Sequence, residues 1–303
     1  MTHARLLALA VAGVLTLTGA APGGAASDPR DVSAYEGLGT WVDIYDGPVW
    51  RNPGPALARM QARGVTTLYL ETANYRQRYD VKQPRTLARI VETAHSLGLQ
   101  VVAWYLPSFT DLNRDLRRSL AAIYFRTPSG DAFDSFALDI EDSTVRPASR
   151  RTARLIELSR AVRRAAGRDY PLGAIIPSPR GMELLRRYWP GFPYRGLRAT
   201  YDVFLPMGYF SYRTRGYAGA SGYTARNVAI IRRATGDPRV PIHAIGGVAS
   251  FSSHEQVRGF VAAARRCSVL GASLYDFLST SSAQWRALTP AQELPVAQPA
   301  RCS

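Results

Sequence analysis

Lysine is almost missing from this chain. Lys82 is the only one, and the other 37 of its 38 basic residues are arginine. The formal charge of +15 is therefore an arginine charge. So one-sided a ratio reads as coding bias rather than as a binding signal, and the arginines are scattered over helical stretches rather than gathered in one basic footprint. A nucleic-acid partner is not expected. Cysteine is scarce too. Two residues, Cys267 and Cys302, exclude a disulfide-dense small scaffold and a cysteine-rich zinc fold. There is no Gly-x-Ser-x-Gly elbow and no glycine-rich phosphate loop. Beyond the N-terminus no apolar run is long enough to cross a bilayer, so stable membrane insertion is not expected. What the chain does have is enough apolar mass for a core: 303 residues, 46% apolar, with 16 Tyr, 10 Phe and 5 Trp.

The N-terminus reads as an export signal. Arg5 precedes an apolar run from Leu6 to Leu17, and small residues follow to Gly24-Ala25-Ala26. This order of basic, apolar and small residues marks residues 1–26 as a signal peptide, with cleavage after Ala26 or after Ala20. No cysteine stands nearby to take a lipid anchor. A secreted, monomeric protein is expected. Outside the cytosol Cys267 and Cys302 can pair, which would pin a Pro-rich tail, 290–303, to the last helices. Two free thiols are the alternative.

Between these ends the chain has one rhythm. Short β-type runs fall at Thr40–Tyr45, Val65–Glu71, Leu99–Tyr105, Ser135–Glu141, Pro171–Ile176, Tyr201–Met207, Val240–Gly246 and Gly271–Tyr275. Helical stretches lie at Pro55–Arg63, Pro84–Leu97, Asp111–Phe125, Pro147–Ala166, Gly181–Tyr188, Ala225–Thr235, His254–Cys267 and Ser282–Leu288. Gly64, Gly98 and Gly271 stand where a helix must stop before the next strand. The alternation predicts an α/β fold: a single-domain (β/α)8 TIM barrel over 27–289, with an open doubly wound sheet as the alternative.

Side chains alternate across a strand. In the fourth strand Phe136, Leu138 and Ile140 then face the helices, while Ala137, Asp139 and Glu141 face inward. The first strand sends Trp41, Asp43 and Tyr45 inward, and the second Thr67, Tyr69 and Glu71. Asp43, Glu71, Asp139 and Glu141 should meet at the C-terminal mouth, where barrel enzymes work. Along one face Asp139 and Glu141 are roughly 6–7 Å apart. Crowding drives two such pKa values apart, leaving one group an acid and the other a charge, as cleavage of a glycosidic bond requires. The alternative is neutralisation of these acids by arginines in a buried network.

Other rim residues are candidates for holding a sugar. Trp104, Tyr105, Tyr275 and Asp276 lie at strand ends. Met207, Tyr209, Tyr212 and Arg213 belong to a long aromatic loop, Tyr209–Tyr217, after the sixth strand. Sugar rings stack on aromatic faces, and Arg213 and Arg215 suit acidic groups. His243, inside the seventh strand, reads as a packed core residue, and His95 as a helical surface residue. His254-Glu255 lacks the second His of a helical zinc site. No metal and no cofactor are expected.

The fourth strand, Asp134-Ser135-Phe136-Ala137-Leu138-Asp139-Ile140-Glu141, resembles the Asp-x-x-Asp-x-Asp-x-Glu signature of family 18 glycoside hydrolases, the chitinase-like barrels. Three of the four acids match and the second is Ala137. That family's Met-x-Tyr-Asp at the sixth strand stands here as Met207-Gly208-Tyr209-Phe210. The Asp-x-Glu pair with Asp43 on the first strand also resembles family 25 lysozymes. The resemblance implies Glu141 as general acid and Asp139 orienting an N-acetyl group; Tyr209 is expected to hydrogen-bond the reacting sugar. The reading is a secreted glycoside hydrolase of a polysaccharide or oligosaccharide, N-acetylated cell-wall glycan or chitin-like, with Asp43 or Glu71 activating water. A catalytically inactive glycan-binding barrel is the alternative that Ala137 and Phe210 leave open.

Overall fold

The structure, a computed structural model, describes residues 31–294 and residue 302. The expected signal segment lies outside the described residues. Eight parallel strands close into a barrel in sequence order: β1 (Gly37–Val42), β2 (Thr67–Asn74), β3 (Gln100–Leu106), β4 (Ser135–Asp139), β5 (Leu172–Pro177), β6 (Val203–Met207), β7 (His243–Val248) and β8 (Gly271–Tyr275). Among the described residues ten α-helices run around them: α1 (Gly47–Arg51), α2 (Pro53–Ala62), α3 (Pro84–Ser96), α4 (Leu112–Ile123), α5 (Ala148–Ala166), α6 (Pro179–Leu184), α7 (Tyr194–Arg198), α8 (Gly216–Thr235), α9 (His254–Arg266) and α10 (Ser282–Leu288). This is the expected (β/α)8 barrel.

The alternation read from the strands divides two packed layers. Leu68, Leu70, Phe136, Leu138 and Ile140 lie in the outer layer between sheet and helices. Trp41, Tyr69, Trp104, Ala137 and Met207 lie in the inner layer. Trp41 stacks on Tyr69 with ring centroids 4.3 Å apart. Below them the barrel is plugged by Tyr35, whose hydroxyl lies 2.5 Å from Ser135 Oγ. His243 is fully buried there. Its Nδ1 lies 2.9 Å from the Tyr35 carbonyl and its Nε2 3.0 Å from Ser273 Oγ, which also accepts from Trp41 Nε1. Burial holds its imidazole neutral, with the pKa lowered to about 4. It is a core residue, as expected.

Several boundaries differ from the sequence reading. β1 ends at Val42 and β4 at Asp139, so Asp43, Tyr45 and Glu141 stand just beyond strand ends rather than within them. The Tyr209–Tyr217 loop is shorter than expected. Phe210–Tyr212 form a turn of 3-10 helix, and α8 already starts at Gly216. Gly64 and Gly98 do adopt the left-handed conformation after their helices, with φ of 71° and 74°. Gly271 does not. It opens β8, where an added Cβ would meet His243 Nδ1 at 2.2 Å; the left-handed residue after α9 is Ser268. His95 is half-buried rather than a surface residue, bound to Asp134 Oδ2 at 3.0 Å. Cys267 and Cys302 are bonded, closing a loop of 35 residues that encloses β8 and α10. Ala291 and Leu294, at the start of the Pro-rich tail, pack in the outer layer.

Candidate active site

Asp139 is the last residue of β4, and it points into the barrel. It is only 6% exposed, and its Oδ1 has no hydrogen-bond partner among the described residues. Burial lifts its carboxyl well above the usual range, and the neighbouring Glu141 and Glu71 push it further. Glu141 lies two residues on. The Tyr188 hydroxyl donates to its main-chain carbonyl, which fixes the turn leaving the strand. Burial also raises the Glu141 carboxyl, and Asp142 adds to this, while Arg76 opposes it. Among the described residues no arginine forms an ion pair with Asp43, Glu71, Asp139 or Glu141. The buried acid–arginine network weighed from the sequence is absent there.

A second acidic group faces this pair from the ends of β1, β2 and β8. Glu71 is 2% exposed. Its Oε2 accepts from the Ile44 N–H at 3.0 Å and its Oε1 from Asn74 Nδ2 at 3.1 Å. Burial raises its pKa to about 8, outweighing those two bonds. Asp43 accepts from the Tyr275 hydroxyl at 2.6 Å and from the Tyr45 N–H at 2.6 Å. Carboxylate oxygens of Asp43, Asp46 and Asp276 lie within 4.8 Å of one another. Three carboxylates could hold one hard cation. Burial raises Asp46 to about 7, however, so a proton accounts for much of this proximity.

On the β6 side the acids give way to a cavity of about 210 Å³. Glu141 forms one wall, and Met207, Tyr209, Tyr212 and Arg213 another. Tyr209 has φ of 46°, a costly conformation for an aromatic residue. It is fixed by hydrogen bonds from the Gly208 N–H to the Ile245 carbonyl at 2.8 Å and from its own N–H to the Gly246 carbonyl. Burial, with Asp139 and Glu141 near, keeps its phenol protonated. Phe210 then turns outward, fully buried against the Gly246–Gly247 backbone, where a Cβ on Gly247 would meet its ring at 2.8 Å.

The other candidates separate. Trp104 is an inner-layer residue edge-on to Trp41 at 6.0 Å, and its Nε1 has no partner among the described residues. Tyr275 and Asp276 sit at the mouth beside Asp43. Tyr45 does not face inward as expected. It is 65% exposed on the rim, its hydroxyl accepting from Asn74 Nδ2 at 3.3 Å. Tyr105 is outside the site. It is fully buried in the outer layer, and its hydroxyl donates to Asp115 Oδ1 at 2.7 Å, because β3 presents its odd positions to α4 there. Sequence reasoning missed Ser178, Met182, Leu185, Tyr188 and Tyr223, which complete the cavity from α6 and α8. It also missed Asp46, whose Asp43-x-x-Asp46 spacing was a visible sign of a hydrogen-bonded turn.

The barrel is similar to those of solved glycoside hydrolases. An endo-β-1,4-mannanase from Thermotoga petrophila superposes with a TM-score of 0.63 at 10% identity, over 86% of this chain and 76% of its own. A glycoside hydrolase family 18 N-acetylglucosaminidase from Paenibacillus barengoltzii gives 0.58 at 12%, over 84% and 99%. The spore cortex-lytic enzyme SleL of Bacillus cereus gives 0.61 at 10%, over 88% and 76%. At such identities the likeness is one of fold. No family model matches the chain, and no curated protein matches it. Among the described residues no helix is long and apolar enough to cross a membrane.

Proposed function

We propose that this chain is a secreted glycoside hydrolase acting on a polysaccharide, N-acetylated cell-wall glycan or a chitin-like polymer. The observation that carries this reading is the acid pair at the C-terminal end of β4. Both carboxyls are pushed toward their neutral forms, neither has an arginine partner, and Glu141 opens onto a cavity. Glu141 therefore holds a proton above the usual carboxylate range and donates it to the leaving glycosidic oxygen. Asp139, buried behind it and pushed toward its neutral form, orients an acetamido group. The Tyr209 phenol donates a hydrogen bond to the reacting sugar. Glu71 keeps its own proton up to about pH 8, so activation of water falls to Asp43, the partly exposed carboxyl on that side. The mannanase, N-acetylglucosaminidase and cortex-lytic enzyme that share the fold support a glycan substrate.

The binding-barrel reading draws on one observation. Ala137 is packed in the inner layer and Phe210 in the outer one, so neither position brings a carboxylate to the mouth. One experiment separates the two readings: release of reducing ends from chitin oligosaccharides, peptidoglycan and mannan by the wild type and Glu141→Gln. Turnover by the wild type, reduced about 10²–10⁴-fold in the variant, supports the enzyme. Binding without turnover in either protein establishes the inactive barrel.

A further inference from the structure

Beyond Tyr188 lies a second cavity of about 640 Å³, between the β4–α5 loop and the segment after α6. Ser143, Arg146, Arg151, Arg187 and Tyr188 line it, and no carboxylate side chain does. Arg151 is the built-in member, only 3% exposed. Its guanidinium carbon lies 4.0 Å from the Trp189 ring centroid, and one amine donates to the Tyr188 carbonyl. Its Nε has no partner among the described residues, and no carboxylate there pairs with Arg146, Arg151 or Arg187. Asp142 is the nearby acid, but it forms no ion pair with Arg151, and a buried guanidinium without one is costly unless something supplies a closer counter-charge. The first turn of α5 lines the same space through Ala148 and Arg151. α5 is 19 residues long, and its N-cap, Pro147, offers no side-chain acceptor. Its free N–H groups and positive dipole end add to the arginines.

We propose that this cavity binds an oxyanion carried by the glycan, a carboxylate, phosphate or sulfate group on a sugar next to the cleaved bond. Tyr188 forms a wall of both cavities, so the bound anion lies one side chain away from the Glu141 cavity. The opposite rim, with Asp43, Asp46, Glu71 and Asp276, presents carboxyl groups and offers an anion no cationic partner. The substrate class is therefore an acidic glycan. This refines the glycosidase reading, and it rests on that reading for what carries the anion.

The test is titration calorimetry on the full exported chain in the Glu141→Gln form, which slows turnover about 10²–10⁴-fold. The probes are a uronate, a phosphorylated and a sulfated oligosaccharide, a neutral one of equal length, and inorganic sulfate. Arg151 is part of the core, so the comparison variant replaces the exposed Arg146 and Arg187 by Ala. At least one acidic oligosaccharide should bind at least about tenfold more tightly than the neutral one. The double variant should lose about tenfold to a hundredfold of that affinity, keep its neutral affinity and melt as before. The preference should also weaken with salt. Equal affinity for acidic and neutral probes overturns the proposal. So does inorganic sulfate binding as tightly as every acidic oligosaccharide, which would make this a site for free anions. Lack of turnover by the wild type defeats the glycosidase reading but leaves this binding test intact.

Discussion

Glu71 makes the stability of this barrel depend on pH in a calculable way. In the unfolded chain its carboxyl loses its proton near 4.5, and in the folded chain near 8, because burial penalises the charge. Below pH 4.5 both states hold the proton and the group is neutral in its effect. Between 4.5 and 8 only the unfolded state ionises, so stability falls as pH rises, and above 8 the loss is complete. Each pKa unit is worth about 1.36 kcal/mol, so the window is worth about 4–5 kcal/mol. In a domain of this size that is on the order of 10 °C in melting temperature. Glu71→Gln removes the ionisation but leaves one oxygen to serve both the Ile44 N–H and Asn74 Nδ2. The lost bond costs the variant about 1 kcal/mol at low pH. His243 slopes the other way: its folded pKa of about 4 makes stability fall as pH drops below 6.5. Subtracting the melting curve of one protein from that of the other cancels His243. The difference should change sign, with the wild type more stable at pH 4.5 and Glu71→Gln more stable at pH 8. Parallel curves across that range would show that Glu71 ionises freely, and the argument from burial would fail.

Leu138→Ala and Asp139→Asn should fail in opposite ways. The first opens a cavity in the outer layer and costs about 2–5 kcal/mol, with activity per folded molecule kept. The second removes a buried ionisable group, so melting at pH 7 should hold or rise while turnover drops; unfolding of Asp139→Asn would instead make it a structural residue. Tyr209→Phe should lower kcat rather than raise KM, if its hydroxyl acts mainly on the reacting sugar; an unchanged kcat removes it from the mechanism. Reduction of the Cys267–Cys302 bond should cost about 3–4 kcal/mol in a denaturant titration, from the 35-residue loop it closes; an unchanged midpoint would show that the tail adds nothing.

The strands were legible because period-two alternation reports burial on two faces. Leu138 and Asp139 fall on opposite layers for that reason. Strand ends were not legible, because Asp43 and Glu141 are held by tertiary bonds, from Tyr275 and Tyr188, that no local pattern announces. The first half of α8 was hidden by Gly216, Gly219 and Gly222, weak helix formers whose place is set by packing on α9. Cavity walls were the least legible. Tyr188 and Tyr223 are 35 positions apart and Arg146 and Arg187 are 41 apart, and only the closed barrel brings each pair together. Scattered arginines in a sequence are therefore compatible with a concentrated charge in space.

A closed cylinder has no edge strand, so it yields at its sparsest seam. Regular pairing between β6 and β7 is confined to Met207 with Ile245 and Phe204 with Ile242. β8 is laddered to both neighbours and enclosed by a covalent loop. The mouth thus has a stiff wall, carrying Asp43 and Tyr275, and a more compliant one along the β6–β7 seam, where backbone bonds at Gly208 and Tyr209 hold the rim. Amide exchange should begin at the compliant wall. A polymer entering the barrel would be aligned against the first wall and accommodated by the second. Widening of the Glu141 cavity to admit a bulky sugar would then leave the acids on the far side undisturbed.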